Sequence, residues 1–219
     1  MTYYARLLED IRGCTICAAH LPLGPRPVLQ ADPAARILIV GQAPGRKVHE
    51  NGIPFNDPSG DRLRLWLGVT REQFYDSKLI ALVPMGFCYP GTGSGGDLPP
   101  RPECAPAWRT RVLTGLPNVE LTLVLGRYAQ DWHLREYKTK ALTETVSKWR
   151  EHIVSGVVPL PHPSSRNIRW FKANPWFEAH TIPALRDRIG QVLCVQPRGA
   201  NTCSSRNVLP GEAFQRSRD

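Results

Sequence analysis

The sequence contains no apolar run approaching the roughly 18 residues that span a bilayer, and its opening, MTYYARLLED, has neither the basic region nor the apolar stretch of an export leader. No membrane partner is expected, and the chain reads as a soluble, cytoplasmic, nucleoid-associated protein of prokaryotic type, and as a monomer. No internal repeat or long low-complexity block is visible. Acidic residues are in deficit, 19 against 28 Lys and Arg, and the formal net charge of +9 points to an anionic partner, nucleic acid first among them. There are only six cysteines. In a reducing compartment their spacing says more than any disulfide pairing.

What is present suffices for one core: 219 residues, 42% of them hydrophobic. Residues 1–193 read as a single domain. Residues 194–219, rich in polar and turn-forming types, read as a disordered basic tail; from Arg186 onward there are six Arg against three acids. Apolar β-branched runs at 36–40, 79–83, 120–126 and 156–160 predict strands, and the segments between them carry helical periodicity. A first helix is predicted over 3–11 with Thr2 as its cap, another with Ser59 as cap and Leu63, Trp66 and Leu67 on one face, and a third near 105–113. One or two closing helices follow with Pro175 at a first turn. This alternation predicts an α/β fold with a mostly parallel sheet covered on both faces. Its ligand site should lie beyond the strands' carboxyl ends, in GQAPGRKVHENGIPF, PMGFCYPGTGSGG, GRY and PHPSSRN.

Cys14 and Cys17 form C-x2-C, while Cys88 and Cys104 enclose 15 residues. The tight pair alone is compatible with zinc, an iron–sulfur cluster or a redox couple, and unrelated core thiols are the plainer alternative. The wide second spacing suits a cube-shaped cluster held from separated loops. Cys194 and Cys203 lie in or beside the tail and are not expected to be ligands.

The order C-x2-C, strand, GQAPG, NGIPF, C-x15-C, strand, HPS resembles the uracil-DNA glycosylase superfamily, in particular its iron–sulfur branch, over about Cys14 to Arg188. The resemblance implies a three-layer α/β/α sandwich around a four-stranded parallel sheet. It implies a structural [4Fe-4S] cluster on Cys14, Cys17, Cys88 and Cys104. As activity it implies monofunctional hydrolysis of the N-glycosidic bond of a deaminated or damaged base flipped from single- or double-stranded DNA, as in base excision repair.

An enzyme acting on a base in a duplex must extrude it, stack it and read its polar edge. In GQAPG the backbone at Gly41 and Ala43 can approach a base closely, and Gln42 can bond its edge or position water. The plainer reading is a tight strand-to-helix turn. Phe55 is the expected stacking platform, although a lone Phe is more often core. His162, fixed between two prolines, is expected to donate to the carbonyl oxygen of the departing base. Ser164 can bind phosphate, and Ser165, Arg166 and Asn167 are expected to contact or wedge the DNA backbone.

Two positions depart from the iron–sulfur branch. Gln42 stands where that branch commonly has an acid, and Ala43 where the uracil-specific enzymes of the first family have Asp. Asp57 is the expected substitute for water activation, with Asn56 and Asp61 in reserve. Pro84 stands where relatives have an Asn that reads uracil, four residues before Cys88. Uracil remains the first expectation, with hypoxanthine or xanthine read by the backbone of 84–87, Gln42 or Asn56 as alternatives. Two further readings stay open: a non-catalytic or very slow binder of damaged DNA, and a zinc-stabilised nucleotide-binding protein.

Overall fold

The computed structural model describes residues 2–135 and 141–194. Most of the expected tail, Cys203 included, lies outside them, but Cys194 is the last residue of a helix. Four short strands form the sheet: β1 (Ile37–Val40), β2 (Ile80–Leu82), β5 (Leu121–Leu125) and β6 (Val157–Leu160), ordered β2-β1-β5-β6. All pairings are parallel, with Ile37 opposite Ile80 on one side and Leu121 on the other, and Leu125 opposite Leu160. Pro159 is tolerated because β6 is an edge strand, where proline's missing N–H need not break a ladder.

Side chains alternate across this sheet and feed two cores. Ile37, Ile39, Ile80, Leu82, Leu121 and Leu123 pack against α3 (Pro58–Leu67) and α10 (Ile182–Cys194). Leu38, Val40, Ala81, Val83 and Val124 pack against α1 (Tyr3–Arg12) and α5 (Cys104–Thr114). The expected α/β sandwich with a central four-stranded parallel sheet is therefore present, with helices on both faces. Chain order reverses between β1 and β5: β1 is followed by β2 on one side, β5 by β6 on the other. Such a switch point opens a crevice at the carboxyl ends.

Most local expectations hold. Thr2 caps α1, accepting from the Ala5 amide at 3.2 Å, and Leu63 and Leu67 of α3 are buried. The cap of α3 requires a correction: it is Asp57, whose Oδ1 accepts from the Gly60 amide at 2.8 Å. Ser59 lies inside the first turn, because Pro58 takes the first helical position, where its fixed φ fits and its lack of an N–H costs nothing. Three small elements were not anticipated. They are α2 (Arg46–Asn51), α4 (Arg71–Tyr75), with a capping box between Thr70 and Gln73, and a hairpin of β3 (Thr92–Gly93) and β4 (Gly96–Asp97). The remaining helices are α6 (Arg127–His133), α7 (Leu142–Ser147), α8 (Trp149–Ser155) and α9 (Ile168–Ala173). No helix among the described residues is long and apolar enough to cross a membrane.

Beneath the crevice lies a buried cation. Arg109 of α5, 1% exposed, donates through Nη1 to the carbonyls of Pro84 at 3.1 Å and Val83 at 3.5 Å, and its Nη2 stands 2.6 Å from His133 Nε2. Arginine has no acceptor, so the imidazole accepts at Nε2 and holds its own proton on Nδ1. Burial first, then the Arg109 charge, press the His133 pKa from 6.5 down to about 3. Between those values the unfolded chain binds the extra proton, so stability rises with pH through the window and is lost as pH falls below about 6.5, at about 1.4 kcal/mol per unit. Lowering pH from 7 to 5 is expected to cost roughly 2 kcal/mol of unfolding free energy through this residue. Urea titrations at the two pH values check the figure: His133→Gln should reduce the difference by about 2 kcal/mol.

Candidate active site

The loops after β1, β2 and β6 and the β3–β4 hairpin enclose a cleft of about 450 Å³. It is built first from glycines. Gly41, directly after β1, is overlain by the Phe55 ring: a Cβ there would come within 3.1 Å of Phe55 Cζ. Phe55 is held at φ 55, a left-handed conformation that a bulky residue rarely adopts and that clusters at functional sites. The surroundings dictate it. The Phe55 carbonyl occupies the space a side chain on Gly60 would need, and Arg64 Nη1 donates to that carbonyl at 3.4 Å. The ring also meets Phe74 edge-on at 6.2 Å. Phe55 is thus a fixed aromatic face on the cleft.

His162 follows β6 and is half-buried. Its Nδ1 accepts from the Ser164 amide at 3.3 Å, which leaves the proton of the neutral ring on Nε2. Burial lowers its pKa below 6.5; Asp57 and Asp97 pull it upward and Arg166 downward. The imidazole is therefore neutral at neutral pH and presents an N–H donor. Asn167 secures this loop by donating to the His162 carbonyl at 2.7 Å, and Arg62 donates to the Pro163 carbonyl at 3.0 Å.

The other expected residues divide. Gly41, Gln42, Ala43, Phe55, Asp57, His162, Ser164, Ser165, Arg166 and Asn167 all line the cleft. Asn56 does not: its Oδ1 accepts from Arg71 at 3.0 Å. Asp61 pairs with Arg64. Ser164 Oγ accepts from the Arg166 amide at 3.3 Å and so caps the short 3-10 turn that follows. Gln42 Nε2 donates to the Leu98 carbonyl at 3.2 Å, tying the strand-end turn to the hairpin. The backbone of 84–87 is largely spent. The Met85 amide donates to Gly41 O at 2.9 Å, the Gly86 amide to Gln42 O at 3.0 Å, and the Phe87 carbonyl accepts from Val28 at 2.7 Å. Pro84 lines the cleft, but Arg109 holds its carbonyl.

Asp97 and Leu98 belong to the cleft and were missed. They sit in a Gly-rich stretch without periodicity, brought in by a tight Ser94–Gly95 turn that is followed by Gly96 at φ 120. The guanidinium of Arg166 rests directly on Gly96, where any side chain would displace it.

A second, small cavity is lined by Cys14, Cys17, Cys88 and Cys104 with Trp108. Three chain segments converge there: the turn after α1, the loop after β2, and the start of α5. N–H groups point at sulfur, Trp108 Nε1 to Cys14 at 3.3 Å and the Phe87 amide to Cys104 at 3.4 Å. Burial pushes the Cys88 and Cys104 thiols up to about 11 and about 12. Among the described residues no three His, Cys, Asp or Glu side chains stand close enough to hold a metal ion.

The cleft thus combines a glycine-lined strand end, an aromatic face, and a neutral imidazole after the last strand. The pattern of the Uracil DNA glycosylase superfamily matches residues 29–186. That span includes every cleft residue named above, although it begins after Cys14 and Cys17. The chain belongs to the uracil DNA glycosylase superfamily.

Proposed function

We propose that the protein excises a deaminated or damaged base from DNA, with uracil the first candidate, by hydrolysing its N-glycosidic bond without cutting the strand. The observation that carries this reading is the hydrogen bond from the Ser164 amide to His162 Nδ1. It dedicates Nε2–H to donation in a cleft that the Phe55 ring also lines. A flipped base stacked on Phe55 would place a carbonyl oxygen where that N–H stabilises the charge of the leaving anion, a role worth about 10²- to 10³-fold in rate. Arg166 and Ser165, both exposed at the rim, suit contacts to the DNA backbone, and the neighbouring Ile168, 42% exposed, is an apolar side chain of the kind inserted between base steps.

The four cysteines would hold a [4Fe-4S] cluster. All four line one cavity and N–H donors face the sulfurs of Cys14 and Cys104, while the wide sequence spacing of Cys88 and Cys104 suits a cluster held from separated loops. Such a cluster would supply no step of the hydrolysis; it would pin the hairpin-bearing loop between Cys88 and Cys104 to α1 and α5.

The test is base release by purified protein containing about four iron and four sulfide per chain. The substrates are single- and double-stranded oligonucleotides bearing uracil, hypoxanthine, xanthine or a G·T mismatch. Release of free base from at least one substrate is expected; tight binding without release across the panel would instead make the protein a reader of damaged DNA.

A further inference from the structure

Hydrolysis of a glycosidic bond needs a group that steadies the leaving base and a carboxylate that prepares water or steadies the sugar cation. Two carboxylates line the cleft, Asp57 and Asp97, and both act electrostatically on His162. They differ in what else they do. Asp57 is an N-cap, its Oδ1 committed to the Gly60 amide, a position where asparagine serves about as well as aspartate.

Asp97 caps nothing. Its Oδ2 lies 3.5 Å from the point that a side chain on Gly45 would occupy, so it faces the turn that follows β1. Its Oδ1 accepts from Thr92 Oγ1 at 3.3 Å, and Thr92 Oγ1 lies 2.5 Å from Tyr89 OH. With the threonine proton directed to the carboxylate, the phenol must donate to threonine. The chain Tyr89, Thr92, Asp97 therefore runs one way, from a ring only 5% exposed and adjacent to Cys88 out to the cleft. A second tether is Gln42, whose amide holds the Leu98 carbonyl beside Asp97. An exposed carboxylate on a glycine-rich hairpin has no need of two tethers for stability, since free surface carboxylates contribute little. Oriented carboxylates are what hydrolytic sites require. Asp97 lines the cleft while remaining exposed to solvent. A nucleotide that enters base first leaves C1′ near the mouth, and the attacking water must be there too.

We propose that Asp97, delivered by the hairpin between Cys88 and Cys104, is the carboxylate that activates the attacking water. This role rests on the glycosylase reading above. In the step, the C1′–N bond breaks and its electron pair leaves on the base, whose carbonyl oxygen is held by His162 Nε2–H. The water oxygen bonds C1′, and Asp97 takes one water proton and later returns it to solvent. The base anion is protonated from solvent, and the products are free base and an abasic sugar.

The experiment compares wild type, Asp97→Asn and Asp57→Asn in single-turnover base release, on the lesion that wild type processes best. Binding is measured in parallel to the same DNA carrying a 2′-fluoro group at the lesion, which resists cleavage. Asp97→Asn is expected to lower release by about 10²-fold with binding to the fluoro-DNA retained. Asp57→Asn keeps the cap but removes a charge that acts on His162, and should lower release clearly less than Asp97→Asn does. Full activity in Asp97→Asn together with loss in Asp57→Asn would overturn the assignment and move the role to Asp57 while leaving the enzyme intact. A wild type that releases no base from any lesion would remove the glycosylase reading itself, and this role with it.

Discussion

Replacing His162 by alanine is expected to slow base release by about 10²- to 10³-fold while leaving the fold and DNA binding in place. The argument is local. Imidazole Nδ1 is satisfied by the Ser164 amide and the ring is kept neutral by burial, so its contribution is one N–H donor that needs no reorganisation as charge develops. Its backbone position does not depend on the ring, because Asn167 and Arg62 hold the carbonyls of residues 162 and 163. The variant should therefore melt near the wild-type temperature and bind lesion DNA with little change. A full rate in His162→Ala would mean that the leaving base is stabilised by another group, and the stacking geometry would have to be redrawn.

Gly60→Ala is expected to be the most damaging single methyl in the site. Alanine is ordinarily a better helix residue than glycine by about 1 kcal/mol, so helix propensity alone predicts stabilisation. Here the added Cβ would overlap the carbonyl of Phe55 and approach Phe55 Cβ to 2.9 Å. The obstruction is backbone, not the end of a flexible side chain, so the 55–57 turn has to move. That turn carries the left-handed Phe55 and the Asp57 cap, and the amide that the cap binds is that of residue 60 itself. Overpacking, a weakened cap and a displaced turn together should lower stability by about 3 kcal/mol and abolish base release. Gly95→Ala, at a position with open space around it, is the control and should cost less than about 0.5 kcal/mol. Chemical denaturation of the two variants decides the matter, and equal midpoints would refute the packing argument.

The four strands were legible because each is a continuous apolar run buried on both faces, a pattern that only a covered parallel sheet requires. His162 and Phe55 were legible because turn residues flank them immediately after strand signals. The cap of α3 was misplaced by two residues although the signal was present: Pro58 belongs at the first helical position, and that makes Asp57 the cap. Asn56 reads as a cleft residue from its neighbours. Its actual direction depends on the turn at Phe55 and a contact with Arg71, and neither is encoded in local pattern. Asp97 was invisible for a related reason, since its approach to the β1 turn depends on a hairpin of four residues and on contacts with Thr92 beside it and Gly45 far back in the chain.

Pro84 sets a limit on selectivity. On its side of the cleft the chain offers a pyrrolidine ring with no N–H, and the carbonyl that remains is held by the Arg109 guanidinium. A surface with no donor, and with its acceptor already engaged, discriminates mainly by shape. Shape discrimination amounts to about 10- to 200-fold per methyl group, whereas a hydrogen-bonded edge can reach 10⁴- to 10⁵-fold. This wall should therefore rank bases by bulk, admitting several that a polar reader would refuse.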